Sequence, residues 1–196
     1  NHYIKTAPYS DLKVFDLVLK VIPDFSEVQF SNSAIIRYSQ LFEMNSTITV
    51  FCNRGTSGID GSTSTALGAA YATQKPMTLV TGDLSFFYDS NALWNNYIPT
   101  DVRIIIINNS GGGIFKIIPG PKKSSALEYF ETPHCLTAEH LSTMFGFEYS
   151  TAHNLKSLEK EVVSFYEKSD KPKILEIFTP SDQNDLVLKA YINNLK

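Results

Sequence analysis

Arginine is scarce in this chain of 196 residues: Arg37, Arg54 and Arg103 are the only three, and acidic residues outnumber basic ones 20 to 17. The net charge of −3 excludes the whole-domain attraction that draws a protein to nucleic acid or an anionic membrane. Any polyanion it holds has to be held through a metal ion and backbone N–H groups. Cysteine is scarcer still. Cys52 and Cys135 have no paired spacing, which excludes a disulfide framework and a zinc site; Cys52, in a β-rich stretch, reads as a small buried apolar residue. No apolar run approaches the ~18 residues of a membrane span. No signal-peptide pattern opens the chain, so a cytoplasmic protein is expected. An initiating Met is missing too, and Asn1-His2-Tyr3-Ile4 reads like mid-protein sequence, so a domain from a longer protein is expected.

Hydrophobic residues make up 43% and charged residues 19%, the balance of one globular domain spanning 1–196. Short apolar runs alternate with helical patterns. Ser10-Asp11 starts a helix that runs toward Pro23, and 25–30 reads as a mixed connection. Ser31 or Asn32 caps a helix over 33–43, with Arg37 one turn after Ser33 on the same face. A strand over 47–52 leads into the glycine-bearing loop 53–61, and a small-residue helix covers 62–74. Strands follow at 77–81 and 102–107, the second the most apolar and so central, with a helix over 86–96 between them that packs through Leu93 and Trp94. A short helix or turn at 114–118 precedes an exposed, mobile loop over 122–133. Helices over 137–145, 155–168 and 181–195 and strands at 147–150 and 173–178 complete the chain. That alternation predicts an α/β fold, a parallel sheet with helices on both faces.

In such a sheet ligands gather beyond the carboxyl ends of the strands. Three turns belong there: 53–61, Gly82-Asp83-Leu84-Ser85, and Asn108-Asn109-Ser110-Gly111-Gly112-Gly113. Between Asp83 and Asn109 there is room for one helix and one return strand, so a crossover brings the two turns together. A carboxylate and a carboxamide oxygen, with a glycine carbonyl, are hard donors suited to Mg²⁺, or Mn²⁺ in its place. The glycines let a phosphate-bearing ligand approach the backbone.

These residues resemble a known signature. A Gly-Asp turn followed after one helix and one strand by Asn-Asn is the diphosphate–magnesium motif of thiamine-diphosphate enzymes. Leu84 stands where Gly is usual, and the Gly-Asp-Leu-Ser form is similar to one branch, the 2-succinyl-5-enolpyruvyl-6-hydroxy-3-cyclohexene-1-carboxylate synthases of menaquinone biosynthesis. Asn32-Ser33…Arg37, Asn53-Arg54-Gly55…Gly58-Ile59-Asp60-Gly61 and Gly111-Gly112-Gly113-Ile114-Phe115 continue that likeness in family order. It implies a thiamine-diphosphate-binding fold and the carboxyl-terminal cofactor domain of the enzyme.

The resemblance also implies roles. Asp83, Asn109 and the Gly111 carbonyl would bind the metal, while Gly82, Leu84, Ser85 and nearby N–H groups would hold the diphosphate. Ile59 would wedge the cofactor into its bent shape. Ser33, Arg37, Arg54 and Ile118 would meet substrate. Ile114 and Phe115 would wall the reacting carbon. The implied reaction decarboxylates 2-oxoglutarate and adds the succinyl unit to isochorismate. The activating glutamate belongs to a pyrimidine-binding domain of a second subunit, which implies a homo-oligomer, dimer or tetramer, and a silent isolated chain.

Singly, each residue has a plainer account. Asp83 reads as a helix N-cap, Asn108-Asn109 as turn chemistry, Arg37 as a solvated side chain and Ile59 as core. His2, His134, His140 and His153 fit no motif and read as structural or surface residues. Two other readings stand beside the synthase. One is a thiamine-diphosphate decarboxylase or ligase for a monoacid; the other is a non-catalytic binding or assembly module.

Overall fold

The computed structural model describes residues 2–195. Among them six strands form one parallel sheet: β1 Glu27–Phe30, β2 Thr49–Cys52, β3 Met77–Gly82, β4 Arg103–Asn108, β5 Glu148–Ala152 and β6 Lys173–Phe178, in the order β2-β1-β3-β4-β6-β5. The helices are α1 His2–Thr6, α2 Asp11–Val21, α3 Ala34–Ser39, α4 Ser62–Thr73, α5 Asp83–Tyr88, α6 Ile114–Ile117, α7 Leu127–Glu131, α8 Glu139–Met144, α9 Leu155–Phe165 and α10 Asn184–Asn193.

Burial on both faces makes the central strands apolar runs. Ile105 and Ile107 of β4 join Leu175 and Ile177 of β6 in the core under α2, α9 and α10. Ile104 and Ile106 turn the other way, onto Leu79, Ile174 and the small-residue face of α4. Helices therefore cover both faces of a parallel sheet, as the alternation predicts.

The chain departs from the expected elements in instructive places. Residues 27–30 form β1, next to the sheet's centre, where a connection is expected. Its Glu27 and Gln29 break the apolar pattern, yet both are buried. Burial is tolerated because each has partners: Glu27 accepts from Thr73 and faces Lys75, and Gln29 donates to Asn53. The helix expected over 86–96 starts earlier, at Asp83, and stops at Tyr88; a 3₁₀ turn follows over Ser90–Trp94. Leu93 is buried as expected, whereas Trp94 is 71% exposed. The 122–133 stretch contains α7, and ion pairs Lys116–Glu131 and Lys122–Asp185 pin it to the body. The last helix begins at Asn184, later than its Ser181-Asp182 signal.

From β1 the chain steps outward to β2, then returns to the other side of β1 to form β3. That reversal opens a crevice between the carboxyl ends of β1 and β3, the place where such sheets take ligands. The three polar turns all emerge there.

Candidate functional site

A cavity at this crevice is lined by residues from five separate stretches. They include Ser33, Ile59, Gly82, Asp83, Leu84, Ser85, Asn109, Gly111, Ile114 and Phe115, with Asp11 and Asn32 beside them. Ten residues singled out in the sequence thus share one wall. Arg37, Arg54 and Ile118 lie outside the lining.

Asp83 opens α5 and is 3% exposed. One carboxylate oxygen accepts from the Leu84 N–H at 2.7 Å and the other from the Gly111 N–H at 2.8 Å. The second bond joins the two turns directly. Gly111 can make it because of its backbone: φ is +144°, and an added Cβ would stand 2.5 Å from the Glu131 carbonyl oxygen. No other residue fits that combination. The Gly112 N–H donates to the same Glu131 oxygen at 2.7 Å, so the segment around α7 closes down on the glycine turn.

The paired asparagines are wired alike and used differently. Each has its amide nitrogen held by a buried carboxylate: Asn108 donates to Glu176 at 2.7 Å, and Asn109 to Asp11 at 3.0 Å. The Asn108 oxygen then accepts from the Ser110 N–H at 3.0 Å. The Asn109 oxygen is buried and has no hydrogen-bond partner among the described residues. Native proteins seldom leave a buried acceptor bare, and Asn109 is one of the residues that line the cavity.

Asp11 is a site residue that its sequence context hides. Ser10-Asp11 reads completely as a helix start, yet the carboxylate is buried and faces Asn109 and Thr179, the latter donating at 2.6 Å. Burial raises its pKa to about 6, against the opposing effect of those hydrogen bonds.

His134 is a second surprise. Its Nε2 stands 3.2 Å from Asp83, close enough to pair when protonated though without a well-formed hydrogen bond, and its ring meets Phe87 edge-on. The Asp83 carboxylate beside the ring is the main cause that raises its pKa above the ordinary histidine range. No spacing rule places position 134 beside position 83; only the path of the 119–134 segment does.

One expected detail changes. Ser31 and Asn32 do not cap α3, which begins after Ser33 at φ +71°. Instead the Asn32 amide donates to the Asn53 and Gly58 carbonyls, both at 2.6 Å, and pins loop 53–61 beside the cavity. The Ser85 hydroxyl donates to the Ile59 carbonyl, which holds that side chain's backbone against α5. Arg37 and Arg54 are exposed at the rim. Arg37 donates to the Ser33 carbonyl at 2.8 Å and Arg54 to the Asn32 side-chain oxygen at 3.0 Å. Among the described residues neither guanidinium has a carboxylate partner. Arg103 is spent structurally: it is buried and donates to the carbonyls of Thr100, Val102, Phe165 and Glu167.

These residues fit a hard divalent cation. Among the described residues no group of three or more His, Cys, Asp or Glu is placed to hold a metal. The donors available are oxygens: the Asp83 carboxylate, the bare Asn109 oxygen and the Gly111 carbonyl. That set suits Mg²⁺ or Mn²⁺ with further oxygens from a ligand.

Comparison with known proteins identifies the family. Residues 32–177 match the family described as thiamine pyrophosphate enzyme, C-terminal TPP binding domain. Two curated relatives are named 2-succinyl-5-enolpyruvyl-6-hydroxy-3-cyclohexene-1-carboxylate synthase. The one from Christiangramia forsetii is 53% identical over 99% of this chain and 34% of its own length. The one from Flavobacterium psychrophilum is 55% identical over all of this chain and 36% of its own. The chain therefore spans about a third of the length of these relatives. A solved Mycobacterium smegmatis protein assigned to the thiamin diphosphate-dependent enzymes superposes with a TM-score of 0.65 at 20% identity, over 89% of this chain and 32% of that one. At that identity the likeness speaks to the fold.

Proposed function

Because the chain belongs to the thiamine pyrophosphate enzymes, matching their C-terminal TPP-binding domain, we propose that it supplies the diphosphate- and metal-holding half of a synthase active site. The complete protein decarboxylates 2-oxoglutarate and joins the succinyl unit to isochorismate, a step toward menaquinone. Support for that substrate pair comes from the synthase name carried by relatives 53–55% identical along nearly the whole chain. The carrying observation at the site is the bare, buried Asn109 oxygen beside Asp83 and Gly111 in one cavity.

In this reading Asp83, Asn109 and the Gly111 carbonyl would hold Mg²⁺ or Mn²⁺, whose charge would favour a diphosphate ligand. When bound, thiamine diphosphate would supply a nucleophilic carbon and an electron sink for decarboxylation of a 2-oxo acid. Ile59, its backbone carbonyl tied by Ser85, presses on the cofactor from the loop side. Ile114 and Phe115 exclude water and stray protons from the reacting carbon. Arg37 and Arg54, whose cationic forks have no acidic partner among the described residues, receive the carboxylates of the two substrates at the rim, with Ser33 and Ile118 as further substrate contacts.

Aminopyrimidine activation comes from a glutamate on the pyrimidine-binding domain of a second subunit, so the working unit is a cytoplasmic homo-oligomer, dimer or tetramer. The isolated chain is then catalytically silent. Turnover measured in the full-length protein tests the whole proposal. Metal-dependent consumption of 2-oxoglutarate with isochorismate, and little use of pyruvate, is expected. Preference for pyruvate would favour a monoacid enzyme, and turnover by residues 1–196 alone would remove the need for a partner domain.

A further inference from the structure

We propose that Asp11 is a positioning residue: it orients the Asn109 carboxamide so that the amide oxygen faces the cation. The inference rests on the metal reading of the Asp83–Asn109 pair.

An ionised carboxylate accepts hydrogen bonds and cannot donate them. Asp11 Oδ2 lies 3.0 Å from Asn109 Nδ2, so the nitrogen end of that amide is the end that must face it. The oxygen end is then turned the other way, where it is buried and bare. Reversing the amide would set two N–H groups against a cation and an oxygen against a carboxylate.

Asp11 is itself held. Thr179 donates to its other oxygen at 2.6 Å, and its own backbone N–H donates to the Asn184 side chain at 2.8 Å. All three residues are buried. Gly113 leaves space for the amide plane, since a Cβ there would stand 3.0 Å from Asn109 Nδ2. Three stretches remote in sequence, at the starts of α2 and α10 and the end of β6, thus converge on the direction of one oxygen. Asn108 serves as an internal contrast: Glu176 fixes it in the same manner, but its oxygen is consumed by Ser110. Partners of metal ligands commonly matter to affinity about 10–100-fold.

A double-mutant cycle tests this in the full-length protein, with Mn²⁺ affinity in the presence of thiamine diphosphate read from the electron paramagnetic resonance of the free ion. Asp11→Ala is expected to weaken Mn²⁺ about tenfold. Once Asn109 is truncated, Asp11 has nothing left to orient, so Asn109→Ala and the double variant should bind Mn²⁺ equally. A general loosening of the fold would instead lower affinity in both backgrounds. Unchanged Mn²⁺ binding in Asp11→Ala, or a further loss on adding it to Asn109→Ala, would overturn the proposal. Asp11→Ser replaces Ala in the cycle if the truncation does not fold. Failure of both to fold while Asn109→Ala folds would make Asp11 a residue of the fold alone and likewise overturn it. Absence of cofactor-dependent Mn²⁺ binding in the unmutated protein would instead sink the metal reading on which it stands.

Discussion

The floor and the rim of the cavity are built by different rules. On the floor, between β3 and β4, nearly every polar atom is spoken for: Asp83 accepts from two backbone N–H groups, and each asparagine amide nitrogen is held by its own buried carboxylate. At the rim, Arg37 and Arg54 are exposed, and among the described residues each guanidinium makes a single modest hydrogen bond. Low effective dielectric makes buried networks costly to break and precise in direction. Exposed cations cost the fold little and keep their charge available for a ligand. Floor residues should therefore show their worth in cofactor binding and stability together, rim residues in substrate affinity alone.

The sharpest attempt to break that contrast is Asp83→Ala, which removes a proposed metal donor and the acceptor that joins the two turns. Cofactor-dependent metal binding, followed by calorimetry, should fall more than about a hundredfold; survival of that binding would remove Asp83 from the metal site. Gly111→Ala comes next. The added Cβ would meet the Glu131 carbonyl at 2.5 Å in a backbone conformation that L residues rarely adopt, so about 2–4 kcal/mol of stability should be lost in denaturant titrations. Thr179→Val strips one of Asp11's hydrogen bonds and should cost about 1–3 kcal/mol, with a measurable drop in Mn²⁺ affinity.

At the rim, Arg37→Ala and Arg54→Ala should each raise KM for a dicarboxylate substrate about tenfold, the worth of a charge-assisted hydrogen bond. Their unfolding free energies should stay within about 0.5 kcal/mol of the parent. Equal KM values in parent and variants would take the arginines out of substrate binding. A large loss of stability would mean the rim is wired as tightly as the floor.

Much of this site is legible in the order of the residues. The four motifs carry their own sequence and spacing, and a parallel sheet brings the carboxyl ends of its strands to one edge. Asp83, Asn109 and Gly111 must therefore meet once strand and helix alternate. β1 is hidden because Glu27 and Gln29 interrupt the apolar pattern, and their burial depends on Thr73, Lys75 and Asn53, partners that local periodicity cannot reveal. Trp94 misleads for the converse reason: an aromatic in a helical pattern looks like core until the helix stops at Tyr88.

Residue chemistry and strand–helix periodicity are local properties, so the candidate oxygen donors, the glycines that make room for them and the sheet edge where they gather can all be read along the chain. How those oxygens are aimed is set by long-range packing. Asp11 beside Asn109, Glu176 beside Asn108, His134 beside Asp83 and Ser85 under Ile59 are contacts between stretches far apart in the chain. Their cause is the packing of helices and loops over the strand ends, which turns an ordinary helix-start aspartate into a buried carboxylate that holds an amide in place.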